Sequence, residues 1–241
     1  MVKKNNGPGK LYLIPVTLGE TAPFEVLPIS IKKAVERINH YIVENEKSAR
    51  RFIKRISSGK SQSALHISVL NKFTEAQEVP TFLDPCVQGY DVGIISEAGC
   101  PGIADPGAEV VKIAHEKEIQ VVPLVGPSSI TLALMASGMN GQNFAFNGYL
   151  PIDSAERKSA IKRLEKVSRV SGQAQILIET PYRNDKLLTE LAKTLRSNTP
   201  LCVACDITLS TEYIATKTAA EWKKIQVDLH KRPAIFIFQG Q

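Results

Sequence analysis

Along the chain, short apolar runs alternate with segments whose apolar residues recur every three or four positions. The runs are short and rich in β-branched residues, which predicts strands at 11–14, 41–43, 65–70, 92–95 and 120–124. The spacing between them predicts helices that include 31–38 and 46–56. In the second of these, Ala49, Phe52, Ile53 and Ile56 form one stripe, while Lys47, Arg50, Arg51, Lys54 and Arg55 crowd the other side. Alternation of this kind is parallel βαβ construction. A further helix is predicted from the turn at 126–129 to Ser137, with Gly138 as its stop. Its Ile130, Leu132, Ala133, Leu134 and Met135 are apolar nearly all round, so it is expected to be buried.

The pattern changes after a short run at 143–148. Gly148-Tyr149-Leu150-Pro151 closes that run and predicts a boundary between lobes at 1–148 and 149–241. The second lobe reads as a charged helix at 155–169, a strand at 175–179, a helix at 184–195 and a strand at 201–207. A close return at 212–216 suggests an antiparallel neighbour, and a short helix at 219–225 and a strand at 234–239 finish the chain. The fold class is therefore α/β, with a parallel-sheet N-terminal domain and a mixed-sheet C-terminal domain.

Composition narrows the classes. With 241 residues, 43% of them apolar, the chain has material for two α/β lobes. Residues 1–10 are polar and contain Gly and Pro, so a loose end is expected there. The apolar run at 11–16 is too short for a secretory signal, and no run is long enough to span a bilayer, so the expectation is a cytoplasmic protein without a membrane partner. The net charge of +6 fits either an anionic partner such as RNA or a plainly solvated basic surface.

Cys202-x-x-Cys205 resembles a zinc or redox pair, but it lies in a predicted strand, where residues three apart face opposite ways. The four histidines lack ligand spacing, so no metal is expected and the thiols are read as buried and inert. No Gly-x-Gly-x-x-Gly follows the first strand, and neither a phosphate loop nor a nucleophile elbow occurs. What remains is a set of Gly/Pro loops at strand ends, at 15–19, 96–107 and 126–129. Such loops suit a ligand held by main-chain groups at the carboxyl edge of a sheet. Within the second loop, Asp105-Pro106 reads as the N-cap and first residue of a helix through Val110, Val111 and Ala114.

Taken together, these segments resemble the tetrapyrrole (corrin/porphyrin) methylase superfamily and, within it, the ribosomal RNA small-subunit methyltransferase I family. The likeness rests on Leu11-Tyr12-Leu13-Ile14-Pro15 with Gly19 and on Ser96-Glu97-Ala98-Gly99-Cys100-Pro101-Gly102-Ile103-Ala104-Asp105-Pro106-Gly107. It continues through Pro123-Leu124-Val125-Gly126-Pro127-Ser128, Ala136-Ser137-Gly138, Phe144-Ala145-Phe146-Asn147-Gly148-Tyr149-Leu150-Pro151 and Glu179-Thr180-Pro181-Tyr182-Arg183. The resemblance implies a two-domain, class III methyltransferase-like fold that binds S-adenosylmethionine in the cleft between its domains, in a homodimer that methylates a cytidine 2′-oxygen. Carried over by residue, the implied cofactor contacts are Pro15, Ser96, Glu97, Ala98, Gly99, Pro101, Gly102, Ile103, Asp105, Pro127 and Ser128, with Tyr182 and Leu209 from the second lobe. For Asp105 the plain alternative is a helix cap, and for Ser128 a first-turn hydrogen bond.

The chain also departs from the family. The family's Ala-Glu-Asp-Thr-Arg reads Val43-Glu44-Asn45-Glu46-Lys47 here, its Ser-Asp-Ala-Gly carries Glu97, and its Gly-Thr-Pro carries Cys100. Methyl transfer to a hydroxyl needs alignment and a group to take the proton; resemblance to the family's acidic motif makes Glu44 one candidate base, with a solvated strand-end carboxylate as the plain alternative. Two basic faces are candidate RNA contacts, Lys47, Arg50, Arg51 and Lys54 on one helix and Lys158, Lys162 and Lys166 on another, where Arg169 continues the stripe opposite Ile161, Leu164 and Val167. The reading is an S-adenosylmethionine-dependent methyltransferase acting on RNA. A tetrapyrrole methylase and a catalytically silent RNA-binding protein of the same fold are the alternatives.

Overall fold

A computed structural model describes residues 7–240. The chain divides into two compact units, Met1–Pro127 and Ser128–Gln241. In the first, strands β1 (Leu11–Ile14), β2 (His40–Val43), β3 (His66–Val69), β4 (Val92–Ile95) and β5 (Val121–Pro123) form a sheet in the order β3-β2-β4-β1-β5. Every pairing in it is parallel. Helices α1 (Pro23–Val26), α2 (Ile29–Arg37), α3 (Glu46–Ile56), α4 (Asp84–Val87) and α5 (Ala108–Glu116) fill the connections.

Alternation along the strands builds a core on each face of this sheet. Tyr12 and Ile14 pack with Ile31, Val35, Phe52 and Ile53 of α2 and α3, while Leu11 and Val92 pack with Val110 and Ala114 of α5. The predicted stripe of α3 is the buried one, and each large apolar side chain in it is worth about 1.5–3 kcal/mol of burial. Asn45 starts this helix, its side chain accepting from the N–H groups of Lys47 and Ser48 at 2.9 and 3.2 Å. The departure at Asn45 thus keeps a capping oxygen, typically worth ~1 kcal/mol.

β1 and β4 are neighbours, yet the chain leaves β1 toward β2 and leaves β4 toward β5, on opposite sides. This reversal is a topological switch, and the loops above it form the crevice in which open α/β sheets hold ligands.

The second unit contains α6 (Ser129–Ser137), β6 (Phe144–Phe146), α7 (Ser154–Ser171), β7 (Ala174–Ile178), α8 (Asn184–Thr194), β8 (Pro200–Cys205), β9 (Tyr213–Thr218), α9 (Ala219–Trp222) and β10 (Ala234–Phe238). Its sheet, in the order β6-β7-β10-β8-β9, is mixed: β6 and β7 are parallel and the other pairs antiparallel. β8 and β9 are the antiparallel neighbours that the close return predicts.

Several expectations need correction. The division falls before α6, not at Gly148–Pro151, because β6 hydrogen-bonds to β7 and α6 packs on β8, β9 and β10. The helix α6 is buried on one side only: Ile130, Ala133, Leu134 and Ser137 are buried, but Met135 is 79% exposed. Asp105 is not a helix cap, since α5 begins at Ala108 after Gly107, whose φ of +132° turns the chain into the helix. On α7 the buried face includes Glu165 and Ser168, and Val167 is exposed. Residues 1–6 of the expected loose end lie outside the described residues. Gly9 and Lys10 are fastened, their N–H groups donating to the Cys86 carbonyl at 2.7 Å and the Asp91 carboxylate at 2.9 Å.

Cys202 and Cys205 are both buried, and Cys205 packs with Leu201 and Val203 on the face opposite Cys202. Burial pushes the Cys205 thiol up to about 11 and the Cys86 thiol up to about 12.

Candidate active site

The first two Gly/Pro loops of the sequence and the start of the third, Gly126-Pro127, meet within the first unit, beyond the carboxyl ends of β1, β4 and β5. The Val16 N–H donates to the Gly99 carbonyl at 2.9 Å. Gly126 lies against Pro15 so closely that a Cβ would come within 2.2 Å of the proline ring. The Cys100 thiol faces the Pro127 carbonyl at 3.3 Å, and a Cβ on Gly99 would sit 3.3 Å from the same oxygen. Pro15, Gly99, Cys100, Gly126 and Pro127 therefore form one packed cluster.

The loop after β4 takes its shape from the left-handed region of backbone space. Gly99, Gly102 and Gly107 have φ of +69°, +77° and +132°, and Ala104, with a side chain, has +62°. A non-glycine residue held there costs about 1–3 kcal/mol, and such strain concentrates at ligand clamps. At Gly102 a Cβ would meet only the Ala108 nitrogen, at 3.8 Å, so the space beside it is open. Pro101 and the sheet end at Ser96 are buried, and Ile103 is 51% exposed.

Three carboxylates converge at this edge. Burial, followed by the charges of Glu44 and Glu97, pushes Asp105 up to about 6, and a hydrogen bond with Ser96 offsets part of the rise. Glu44 is also raised, first by burial and then by Glu97. Glu97 accepts a short hydrogen bond from the Ser48 hydroxyl on α3. Sequence reasoning named all three acids but missed their grouping and missed Ser48. The signal available was that Glu44 directly follows β2 and Ser96-Glu97 follows β4, its neighbour.

Ser128 precedes α6 and its side chain makes no capping bond, so the first-turn role weighed for that hydroxyl is not the one observed. Tyr182 follows β7, and Leu209 follows β8. Residues 230–232 reach both turns: the Lys231 N–H donates to the Pro181 carbonyl at 3.1 Å, and Arg232 donates to Asp206 at 2.7 Å. Tyr182 is 69% exposed, with the His230 ring edge-on at 5.8 Å. The Leu209 N–H donates to the Asp206 carbonyl at 2.9 Å.

The candidate RNA contacts divide. Lys47 and Lys54 on α3 and Lys158, Lys162 and Lys166 on α7 are exposed, with no ion pair among the described residues. Arg50 is committed inside its own unit, to Glu46 at 2.8 Å and to the Gln62 carbonyl at 2.7 Å. Arg51 lies 3.7 Å from Glu20. Among the described residues no group of acids, histidines and cysteines is placed to hold a metal ion.

The profile of the Tetrapyrrole (Corrin/Porphyrin) Methylases matches residues 26–223. The chain belongs to this family. It is 28% identical over 216 residues to Ribosomal RNA small subunit methyltransferase I of Vibrio cholerae serotype O1, covering 90% of this chain and 71% of that protein. It is 27% identical over 239 residues to the protein of the same name from Escherichia coli O157:H7, covering 98% and 79%. In structure it is similar to the methyltransferase CobJ, with a TM-score of 0.64 and 14% identity over 96% of this chain and 94% of that one, which establishes a shared fold. The chain is thus a methylase-family protein with the class III methyltransferase fold that the sequence implied.

Proposed function

We propose that the protein transfers a methyl group from S-adenosylmethionine to RNA, at a ribose 2′-oxygen of ribosomal RNA. The observation that carries this reading is the meeting of the three Gly/Pro loops above the switch between β1 and β4, beside a group of carboxylates. These residues fit the cofactor. A cation placed beside Asp105, Glu44 and Glu97 relieves the repulsion that adds to burial in raising Asp105, and the open side of Gly102 admits a ligand against the main chain.

When bound, S-adenosylmethionine supplies an activated methyl on a sulfonium. The work left to the chain is orientation, worth about 7–11 kcal/mol when the reacting atoms are held near attack. The packed loops at Pro15, residues 96–103 and Gly126-Pro127 do the holding, and Ser128 is a cofactor candidate by resemblance alone. Glu44 takes the hydroxyl proton; its raised proton affinity makes it a better base than a free carboxylate. Lys47, Lys54 and the α7 lysines meet RNA phosphates. Tyr182 and Leu209 are cofactor candidates by resemblance alone. An RNA target of this kind puts the enzyme in the cytoplasm, and no described helix is long and apolar enough to cross a membrane. The exposed Met135 and Ile152 offer apolar surface that a second copy would cover in a homodimer.

The test is transfer of radiolabelled methyl onto total RNA from cells lacking the protein, followed by mapping of the modified nucleotide. Label at one ribosomal RNA position supports the reading. No label in RNA, with label transferred to a tetrapyrrole precursor in a parallel assay, supports the second reading, which the family description favours.

A further inference from the structure

We propose that a cavity between α3 and the loop after β1 is a seat for a phosphate of the RNA backbone, and that Glu20 occupies the place of that phosphate in the free protein. The proposal rests on the methyl-transfer reading above and gives its substrate a point of attachment. The cavity measures about 220 Å³, and Thr17, Gly19, Ser48, Arg51, Arg55 and Glu97 are among its walls. One wall is therefore the cofactor loop, at Glu97, and another is the basic face of α3. The volume is below the ~300–1,000 Å³ of pockets that enclose a drug-sized ligand. It suits a phosphate and the sugar that carries it, not a macrocycle.

Glu20 shows where the anion sits. One of its carboxylate oxygens lies 3.1 Å from a guanidinium nitrogen of Arg55, and the other lies 3.7 Å from Arg51. Two oxygens of one anion thus face two arginines, which is the arrangement that the two free oxygens of a phosphodiester require. Arg55 has a second tether to the same loop that does not use the Glu20 side chain, because it also donates to the Thr21 carbonyl at 2.6 Å. The latch is weak: the Glu20 side chain is 76% exposed and that of Arg51 69%, and although the Arg55 side chain is 34% exposed its carboxylate partner stands in solvent. Pairs with so exposed a carboxylate are weak, so a phosphate with further contacts displaces Glu20 at little cost. Lys47 and Lys54, exposed on the same helix, extend the track for neighbouring phosphates.

The experiment is fluorescence anisotropy of a labelled single-stranded oligoribonucleotide of mixed sequence with the full chain, across a salt series. The proteins are wild type, Glu20→Gln and the double variant Arg51→Gln/Arg55→Gln, with thermal unfolding as the check on folding. Arg51→Gln alone replaces the double variant if that one unfolds. Loss of the competing carboxylate is expected to tighten RNA binding roughly two- to fivefold, the range that an exposed pair is worth. Loss of both arginines is expected to weaken binding and to flatten the salt dependence by about 0.7 in log–log slope per lost contact. Unchanged or weaker binding by Glu20→Gln, or an unchanged slope in the arginine variants, overturns the seat. Binding of inorganic phosphate without binding of the oligoribonucleotide also overturns it, because the seat then serves a small phosphate ester. S-adenosylmethionine calorimetry on the same preparations separates the two levels. Failure of the seat with the cofactor bound leaves methyl transfer standing, whereas no cofactor binding by wild type overturns the reading beneath it.

Discussion

The main-chain N–H of Val16 donates to the carbonyl of Gly99 at 2.9 Å, joining the loop after β1 to the loop after β4. The two loops leave neighbouring strands in opposite directions, so this bond crosses the switch point. Gly126 completes the junction by lying on Pro15. The proposed cofactor site therefore depends on glycines chosen for close approach as much as on polar groups.

Gly126→Ala tests that packing. Its Cβ would fall 2.2 and 2.6 Å from atoms of the Pro15 ring, so one of the two loops must move. Overpacking of this kind costs typically about 1–3 kcal/mol. Urea denaturation should show that loss, and an unchanged midpoint would mean that the loops are not in contact.

Asp105 predicts a pH-dependent effect of its own replacement. Its carboxyl titrates near 6 in the folded chain against 3.8 unfolded, so the folded state holds the proton more tightly. The stabilisation from that proton is complete below about pH 4 and is lost as pH rises through 6. Asp105→Asn cannot ionise. It should raise the unfolding temperature relative to wild type at pH 7 and leave it nearly unchanged at pH 4. Equal effects at both pH values would remove the burial and repulsion argued for this group.

Ala104 holds a φ of +62°, where glycine is at ease. Ala104→Gly should therefore stabilise the protein by about 1 kcal/mol, against the usual sense of such a substitution. Denaturant titration reads the sign directly, and a loss of stability would show that the strain is absent.

The thiols predict a labelling pattern. Burial raises all four thiols, but Cys86, Cys202 and Cys205 are buried while Cys100 is half-buried and within reach of solvent. A thiol reagent at pH 8 should reach Cys100 alone in the native protein, and Cys100→Ser should abolish the reaction. Fast reaction at Cys202 or Cys205 would contradict the burial of that pair on β8.

Much of this was legible from the order of residues. β1 and β4 fall on the predicted bounds because short apolar runs that give way to Gly/Pro loops admit few other readings, and α3 announces its buried stripe at helical spacing. Asp105 was misread because Asp-Pro is a frequent helix start, whereas here Gly107 makes the turn three-dimensionally and frees the carboxyl for the acidic group. The boundary was misplaced because Gly148 and Pro151 punctuate the chain more visibly than Pro127. What decides membership of a unit is the pairing of β6 with β7, a contact that local pattern does not report. The Ser48–Glu97 bond and the approach of Glu20 to Arg51 and Arg55 join residues far apart in sequence, and nothing in their spacing announces them.

The most direct measurement is titration calorimetry of the full chain with S-adenosylmethionine, comparing wild type with Gly102→Leu. A Cβ at Gly102 finds no neighbour nearer than 3.8 Å, so the larger side chain enters the space assigned to the ligand, at a backbone cost of about 1–3 kcal/mol for its positive φ. The expected result is saturable binding by wild type and none by a variant that still unfolds cooperatively. Equal binding by the two proteins, or none by wild type, would contradict the placement of the cofactor on these loops.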